Sequence, residues 1–315
     1  MGFFASLINS MPSAVAQGLI WGIMAIGVYL TYRILDVADL TVDGSLGTGG
    51  AVCVVMVLNG VPVGLALLAA TAAGMLAGLV TGLFHTACGI PAILAGILTQ
   101  LALYSVNLRI MGFGTGGGKA NLPISVDKYS LLVSARYVRS VALNNPILIL
   151  VIFCAVLIAV LYWFFGTELG CSLRATGANQ NMARAQGINT NVAKVLGLMI
   201  SNGLVALAGG LLAQYQGFSD INMGRGAIVI GLAAVIIGEV IFSRIFRNFA
   251  LKLLSAVIGA IIYYIVMVFV LRLGLSTDDL KLLTALVVAL FLTIPYWKGK
   301  YFTKTSVKKG EKNHA

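Results

Sequence analysis

Residues 146–166 read Pro-Ile-Leu-Ile-Leu-Val-Ile-Phe-Cys-Ala-Val-Leu-Ile-Ala-Val-Leu-Tyr-Trp-Phe-Phe-Gly. A run of this kind matches the roughly 20 apolar residues an α-helix needs to cross the hydrocarbon of a bilayer. Working outward, further apolar segments can be drawn at 13–33, 45–59, 63–84, 90–110, 192–214, 227–242, 250–271 and 281–297. The composition agrees: 59% of the 315 residues are hydrophobic and 10% charged, against about 25% charged in a soluble domain. Mean hydropathy is +0.99. These values exclude a secreted disulfide scaffold, a disordered chain and an ordinary cytosolic enzyme. The expected fold is an all-α membrane protein, multi-pass in the cell membrane. Residues 1–315 would form a single domain of about nine transmembrane helices.

The net charge of +11 would suggest nucleic acid in a soluble chain. Here the excess of Lys and Arg on the inner side of membrane proteins explains it, and no nucleic-acid partner is expected. The richer set of connecting segments holds Arg33; Arg174, Arg184 and Lys194; Arg244, Arg247 and Lys252; and the lysines from Lys298 to Lys312. That set is expected inside, with the N-terminus and the 112–145 loop outside and a basic cytoplasmic tail at 298–315. The start of the chain, Met1 to Met11, has no basic residue and so lacks the n-region of a signal peptide. Cys53, Cys88, Cys154 and Cys171 share no metal-like spacing and read as small packing residues. Gly74, Gly78 and Gly82 repeat on one helix face, where small residues let two backbones approach.

The apolar pattern breaks twice. Span one ends in Tyr32-Arg33-Ile34-Leu35, and Asp36, Asp39, Thr41, Asp43, Gly44 and Ser45 follow before a short second span. Irregular backbone at such depth lines a polar cavity or meets water. The plainer alternative is a turn in which Asp43 or Ser45 caps the second helix. Spans six and seven are joined by a similar stretch, Gln214 to Gly226, with Asp220, Asn222 and Arg225. With opposite directions for spans one and six, the two units would be inverted repeats with broken helices, a transporter plan. Candidate pathway residues are Asp39, Thr41, Asp43, Gln100, Asn107, Asn202, Asp220 and Asn222. Asn and Gln within spans read equally as glue between helices. Glu239, close in sequence to Arg244 and Arg247, reads as one half of a local ion pair or as a snorkelling side chain.

No catalytic motif is present. Gly112-Phe-Gly114-Thr-Gly116-Gly117 follows a transmembrane helix rather than a strand, so it is not a dinucleotide site. Lys119 lacks the companion residues of a phosphate-binding loop, and His85 and His314 belong to no triad or metal cluster. Neither an enzyme activity nor a cofactor is expected of this chain.

Residues 167–190 carry the remaining signal. A short helix is expected from about Ala178 to Gln186, with Asn179 as its N-cap and Gly187 as its stop. On physical grounds alone it could lie on the membrane surface. The pattern Leu169-Gly170, Arg174-Ala175, Gly177, Asn179, Ala183 and Gly187-Ile188, followed by Ala206, Gly209, Gly210 and Gly231 to Gly238, resembles the branched-chain amino acid and ribose permeases of ATP-binding-cassette importers. Asp39-Leu-Thr41-Val-Asp43-Gly44-Ser45 and Leu103 to Gly112 resemble an amino-acid branch of that family. The resemblance implies a permease homodimer, two ABC ATPase subunits and an extracytoplasmic solute-binding protein. It implies that 167–190 couples to the ATPase through Gly170, Arg174, Gly177, Asn179, Ala183 and Gly187. The branch resemblance suggests an amino acid as solute, aromatic ones included, with sugars and other small solutes left open. The alternative is a secondary transporter driven by an ion gradient.

Overall fold

The computed structural model describes residues 3–114, 117–126, 128–138, 145–242, 245–246 and 248–272, with isolated positions between 282 and 293. Most of the expected last span, Arg244, Arg247, His314 and the whole tail 298–315 lie outside the described residues. The chain runs α1 (Phe3–Tyr29), a π-helical turn (Leu30–Ile34), α2 (Val42–Leu58), α3 (Val63–Thr86), α4 (Ala92–Met111), β1 (Asn121–Pro123), α5 (Pro146–Phe165), α6 (Glu168–Ala178), α7 (Gln180–Ala185), α8 (Thr190–Gln216), β2 (Phe218–Asp220), α9 (Ala227–Phe242) and α10 (Phe249–Arg272). Eight of the nine expected apolar segments are therefore helices.

Their ends follow local chemistry. Asn145 caps α5, accepting from the Ile147 N–H at 2.9 Å, with Pro146 in the first turn. Asn189 accepts from Asn191 and Val192 at the start of α8. That helix stops at Gly217, whose φ of 81° lies in the left-handed region.

Helices α1 and α8 form the centre. Of their most apolar stretches, 89% and 78% are buried, against 17% for α5. They lie antiparallel: Ser13 bonds Tyr215 at 3.1 Å near one end, the Ser201 hydroxyl donates to the Gly27 carbonyl at 2.7 Å, and Leu35 packs on Gly197. Close approach depends on glycine. A Cβ at Gly74 or Gly78 would strike the α8 backbone at Asn202 or Leu198, and Gly82 meets Val195, as the four-residue spacing predicts. Outward faces of α3, α4 and α5 stay apolar, with Leu68, Leu101 and Val156 exposed. Such faces suit lipid or a second membrane chain. Cys53 and Cys154 are buried as expected, but Cys88 and Cys171 are exposed at helix ends and do not pack in the core.

Two units share one plan. Helices α1, α2 and α3 have 27, 17 and 24 residues, and α8, α9 and α10 have 27, 16 and 24. Packing exchanges the same way: α3 lies on α8 and α10 on α1, while α2 lies on α8 and α9 on α1. The units run in opposite directions, as α1 and α8 do. At a rise of 1.5 Å per residue, α2 and α9 reach only about 25 Å, short of a full hydrocarbon crossing. In each unit the missing length is supplied by an irregular segment, 35–41 or 217–226.

Candidate functional site

The first irregular segment turns at Asp36, whose φ of 55° is left-handed; Asp tolerates that region better than most residues. The chain then returns toward the middle of α8. Asp39, 2% exposed, accepts the Thr41 backbone N–H at 2.9 Å through one oxygen and the Asn202 side-chain N–H at 2.6 Å through the other. Asn202 also donates to the Leu198 carbonyl at 3.0 Å, and its oxygen accepts the Ser45 hydroxyl at 2.6 Å. Thr41 and Thr81 share a bond of 2.7 Å. Asp39, Thr41, Ser45 and Asn202 thus form one buried cluster that fastens α2 to α8. A polar group in such a place is tolerated when its bonding capacity is filled, and these side chains face the interior of the chain.

Asp43 does something the sequence did not suggest. Its carboxylate accepts the backbone N–H groups of Gly226 and Ile228, each at 2.9 Å. It therefore caps α9, in the other unit, and not α2. Ser45 is no cap of α2 either, being held by Asn202. The cause is the close approach of the two segments: a Cβ at Gly224 would strike the Asp43 carbonyl. Negative charge at a helix N-terminus is favourable, so the interrupted ends are joined by a carboxylate that answers two amides at the start of α9.

The second irregular segment begins beside the β1–β2 pair. Asp220 lies opposite Asn121 there, accepts the Asn222 N–H at 2.7 Å and the Asn121 side-chain N–H at 3.3 Å. Asn222 is exposed. On the adjacent face of α4, Gln100 is half-buried, and its Cα lies against Gly44. Asn107 is buried and donates to the Gly44 carbonyl at 3.4 Å; its own oxygen has no partner among the described residues. Arg225 and Tyr104 also meet here, the guanidinium carbon 6.0 Å from the ring centroid. Neither was singled out as a pathway candidate from sequence. The available signal was the position of Arg225 inside the second break rather than in a surface loop.

The candidate coupling residues are gathered on α6 and α7, at the opposite end from β1–β2. Sequence suggested one helix from about 178; there are two, with Asn179 extended between them at φ −159° and ψ 105°. Asn179 caps α7, accepting the Met182 N–H at 3.0 Å, and Gly187 turns away with φ 80°. Gly170 lies against Phe164 and Phe165, and a Cβ at Gly177 would strike the Ile34 carbonyl. Arg174 is exposed over the Phe249 ring at 5.8 Å. Ala183 is 3% exposed. These small residues seat the hairpin on its own chain; its outward surface is Asn181, Met182, Ala185 and Gln186.

Behind α6 a cavity of about 760 Å³ is lined by Tyr29, Arg33, Trp163, Arg174, Gly177 and Lys252, among others. Arg33 pairs with Glu239 at 2.9 Å. Glu239 thus has a partner from the other unit, where sequence proximity had suggested Arg244 or Arg247. Among the described residues, no group of three His, Cys, Asp or Glu side chains could hold a metal ion.

Residues 10–294 match the family described as branched-chain amino acid transport system / permease component. The chain is 41% identical over 284 residues to a tyrosine transport system permease protein of Clostridioides difficile, covering 90% of each. It is 35% identical to an uncharacterized protein of Rickettsia prowazekii, over 90% of this chain and 97% of that one. An autoinducer 2 import system permease of Salmonella paratyphi B is 27% identical over 74% of this chain and 64% of its own length. In fold it resembles PsaBC from Streptococcus pneumoniae, solved in complex with Fab. The TM-score is 0.53 at 16% identity, with 95% of this chain and 98% of that one covered.

Proposed function

Because this chain belongs to the branched-chain amino acid transport permease family, as a multi-pass permease of the ATP-binding-cassette type, we propose that it imports an amino acid delivered by an extracytoplasmic binding protein and driven by separate ATPase subunits. The observation that carries the reading is the α6–α7 hairpin. It is outward-facing, exposes polar groups beside Leu169 and Met182, and is seated by Gly177 on the main chain that leads into the first interruption. A partner pressing on it acts on that segment through backbone contact. Supporting an amino acid as solute, the relative at 41% identity is named for tyrosine transport. The sidedness expected from Lys and Arg puts the hairpin in the cytoplasm, where ATP is.

The test is uptake of radiolabelled L-tyrosine and L-leucine by proteoliposomes holding this permease, its ATPase and its binding protein. Uptake should require ATP and the binding protein. Uptake that follows an imposed proton or sodium gradient without the ATPase would instead favour a secondary carrier. Bulk on the outward face of α7 separates the docking role from a surface-lying helix. Ala185→Trp should weaken ATPase co-purification roughly five- to a hundredfold, the effect of about 1–3 kcal/mol of overpacking. A helix resting on the membrane would accept Trp readily.

A further inference from the structure

Resting on the reading of this chain as an amino-acid permease, we infer that Arg225 is the group in the pathway that binds the carboxylate of the amino acid in transit, with Tyr104 beside it. The argument starts from depth. Tyr104 is the thirteenth of the twenty residues of α4, which places it about 4 Å from the middle of that helix at 1.5 Å per residue. The Arg225 guanidinium is held beside its ring. Neighbouring contacts fix the same level: the Gly226 N–H donates to the Asp43 carboxylate, and Gly44, next in sequence, lies against Gln100, the ninth residue of α4.

Arg225 is nevertheless exposed, and Tyr104 is 42% exposed. A bare guanidinium at this depth cannot face hydrocarbon without a large cost, and intramembrane ions turn to the bundle interior or to water. Among the described residues no carboxylate forms an ion pair with it. The ion pair among the described residues is Arg33 with Glu239. Nearby carboxylates are engaged elsewhere, Asp43 by the α9 amides and Asp220 by Asn222 and Asn121. The face around Arg225 is therefore wet or closed by another chain, and its free valence is for an anion. A guanidinium presents a planar fork that takes a carboxylate through two parallel bonds. Exposed Asn222, whose carbonyl accepts the Arg225 N–H at 3.0 Å, and half-buried Gln100, against Gly44, add neutral polar groups nearby, and the tyrosine ring offers a flat apolar surface to a solute side chain. The chemistry selects a small monocarboxylate with an apolar or aromatic body.

Proteoliposomes of the complete transporter test this with Arg225→Gln, Arg225→Lys and, in a background without native cysteines, Arg225→Cys. Arg225→Gln should lower L-tyrosine uptake roughly 10- to 100-fold, the loss of a charged hydrogen-bonding partner, with Arg225→Lys intermediate. Arg225→Cys should react with water-soluble methanethiosulfonates, more slowly while L-tyrosine is being transported. A reagent that attaches an ammonium group should restore part of its uptake, and one that attaches a sulfonate should not. This charge rescue does not depend on Arg225→Gln folding. Wild-type uptake by Arg225→Gln would overturn the assignment while leaving the permease reading intact. So would a thiol at 225 that reacts without protection by solute but whose modification splits the permease dimer, which would make Arg225 an ion-pair partner of a second copy. If the wild-type assembly takes up neither L-tyrosine nor L-leucine, the permease reading itself fails for amino acids, and this inference falls with it.

Discussion

Two aspartates separate cleanly by their bonding. Asp39 uses its two oxygens on two donors, the Thr41 amide and the Asn202 side chain. In Asp39→Asn one oxygen becomes an NH2 group, so a donor faces a donor inside the protein. The expected loss is about 1–3 kcal/mol of stability, read as a lower thermal midpoint in detergent, and Asn202→Ala should not add fully to it because the two side chains share one network. Asp43→Asn leaves one α9 amide without its acceptor and should cost about 0.5–2 kcal/mol. Asp220→Asn, whose contacts to Asn222 and Asn121 are exposed, should stay within about 0.5 kcal/mol. The sequence marked all three positions as functional, on the ground that charge inside an apolar pattern needs a reason. That reasoning located the interruptions correctly. It could not assign roles, because the groups that answer Asp39 and Asp43 lie 163 and 183 residues away, and only the folded chain brings them close.

At the level of elements, length and apolar pattern were enough to locate helices α1 to α5 and α8 to α10. The helix α6 was not legible: its residues, Glu168 to Ala178, are mixed in polarity and carry no apolar period. What the pattern of small residues did reveal was close packing, though not its partner. Gly177 is the informative case, since it lets α6 rest on the main chain at Ile34. Gly177→Val should lift the C-terminal end of α6 from the main chain at Ile34, while Leu173, packed against Gly197 of α8, keeps its other end seated. The expected outcome is a transporter that still hydrolyses ATP but takes up less solute per ATP, measured as the ratio of uptake to phosphate release. An unchanged ratio would mean that force reaches the core by another route.

For the molecule as a whole, the two exposed cysteines lie at the α6–α7 end. Cys171 is on α6, and Cys88 follows α3 just beyond His85, which contacts Lys194 in the first turns of α8 at 3.3 Å. Lys128 lies toward the opposite end, where its neighbour Tyr129 bonds the Leu58 carbonyl. An impermeant maleimide should therefore label neither native cysteine in intact cells and both in inverted vesicles, whereas Lys128→Cys should show the reverse. Labelling of Cys171 from outside would overturn the orientation drawn from the Lys and Arg bias. The contact at Gly177 bears, finally, on how such permeases diversify. Main chain presses there on main chain, so no side chain specifies the fit. If the hairpin is where an ATPase docks, as proposed, changes that re-line the pathway for a new solute need not touch that joint. The relatives of this chain are named for solutes as unlike as tyrosine and autoinducer 2.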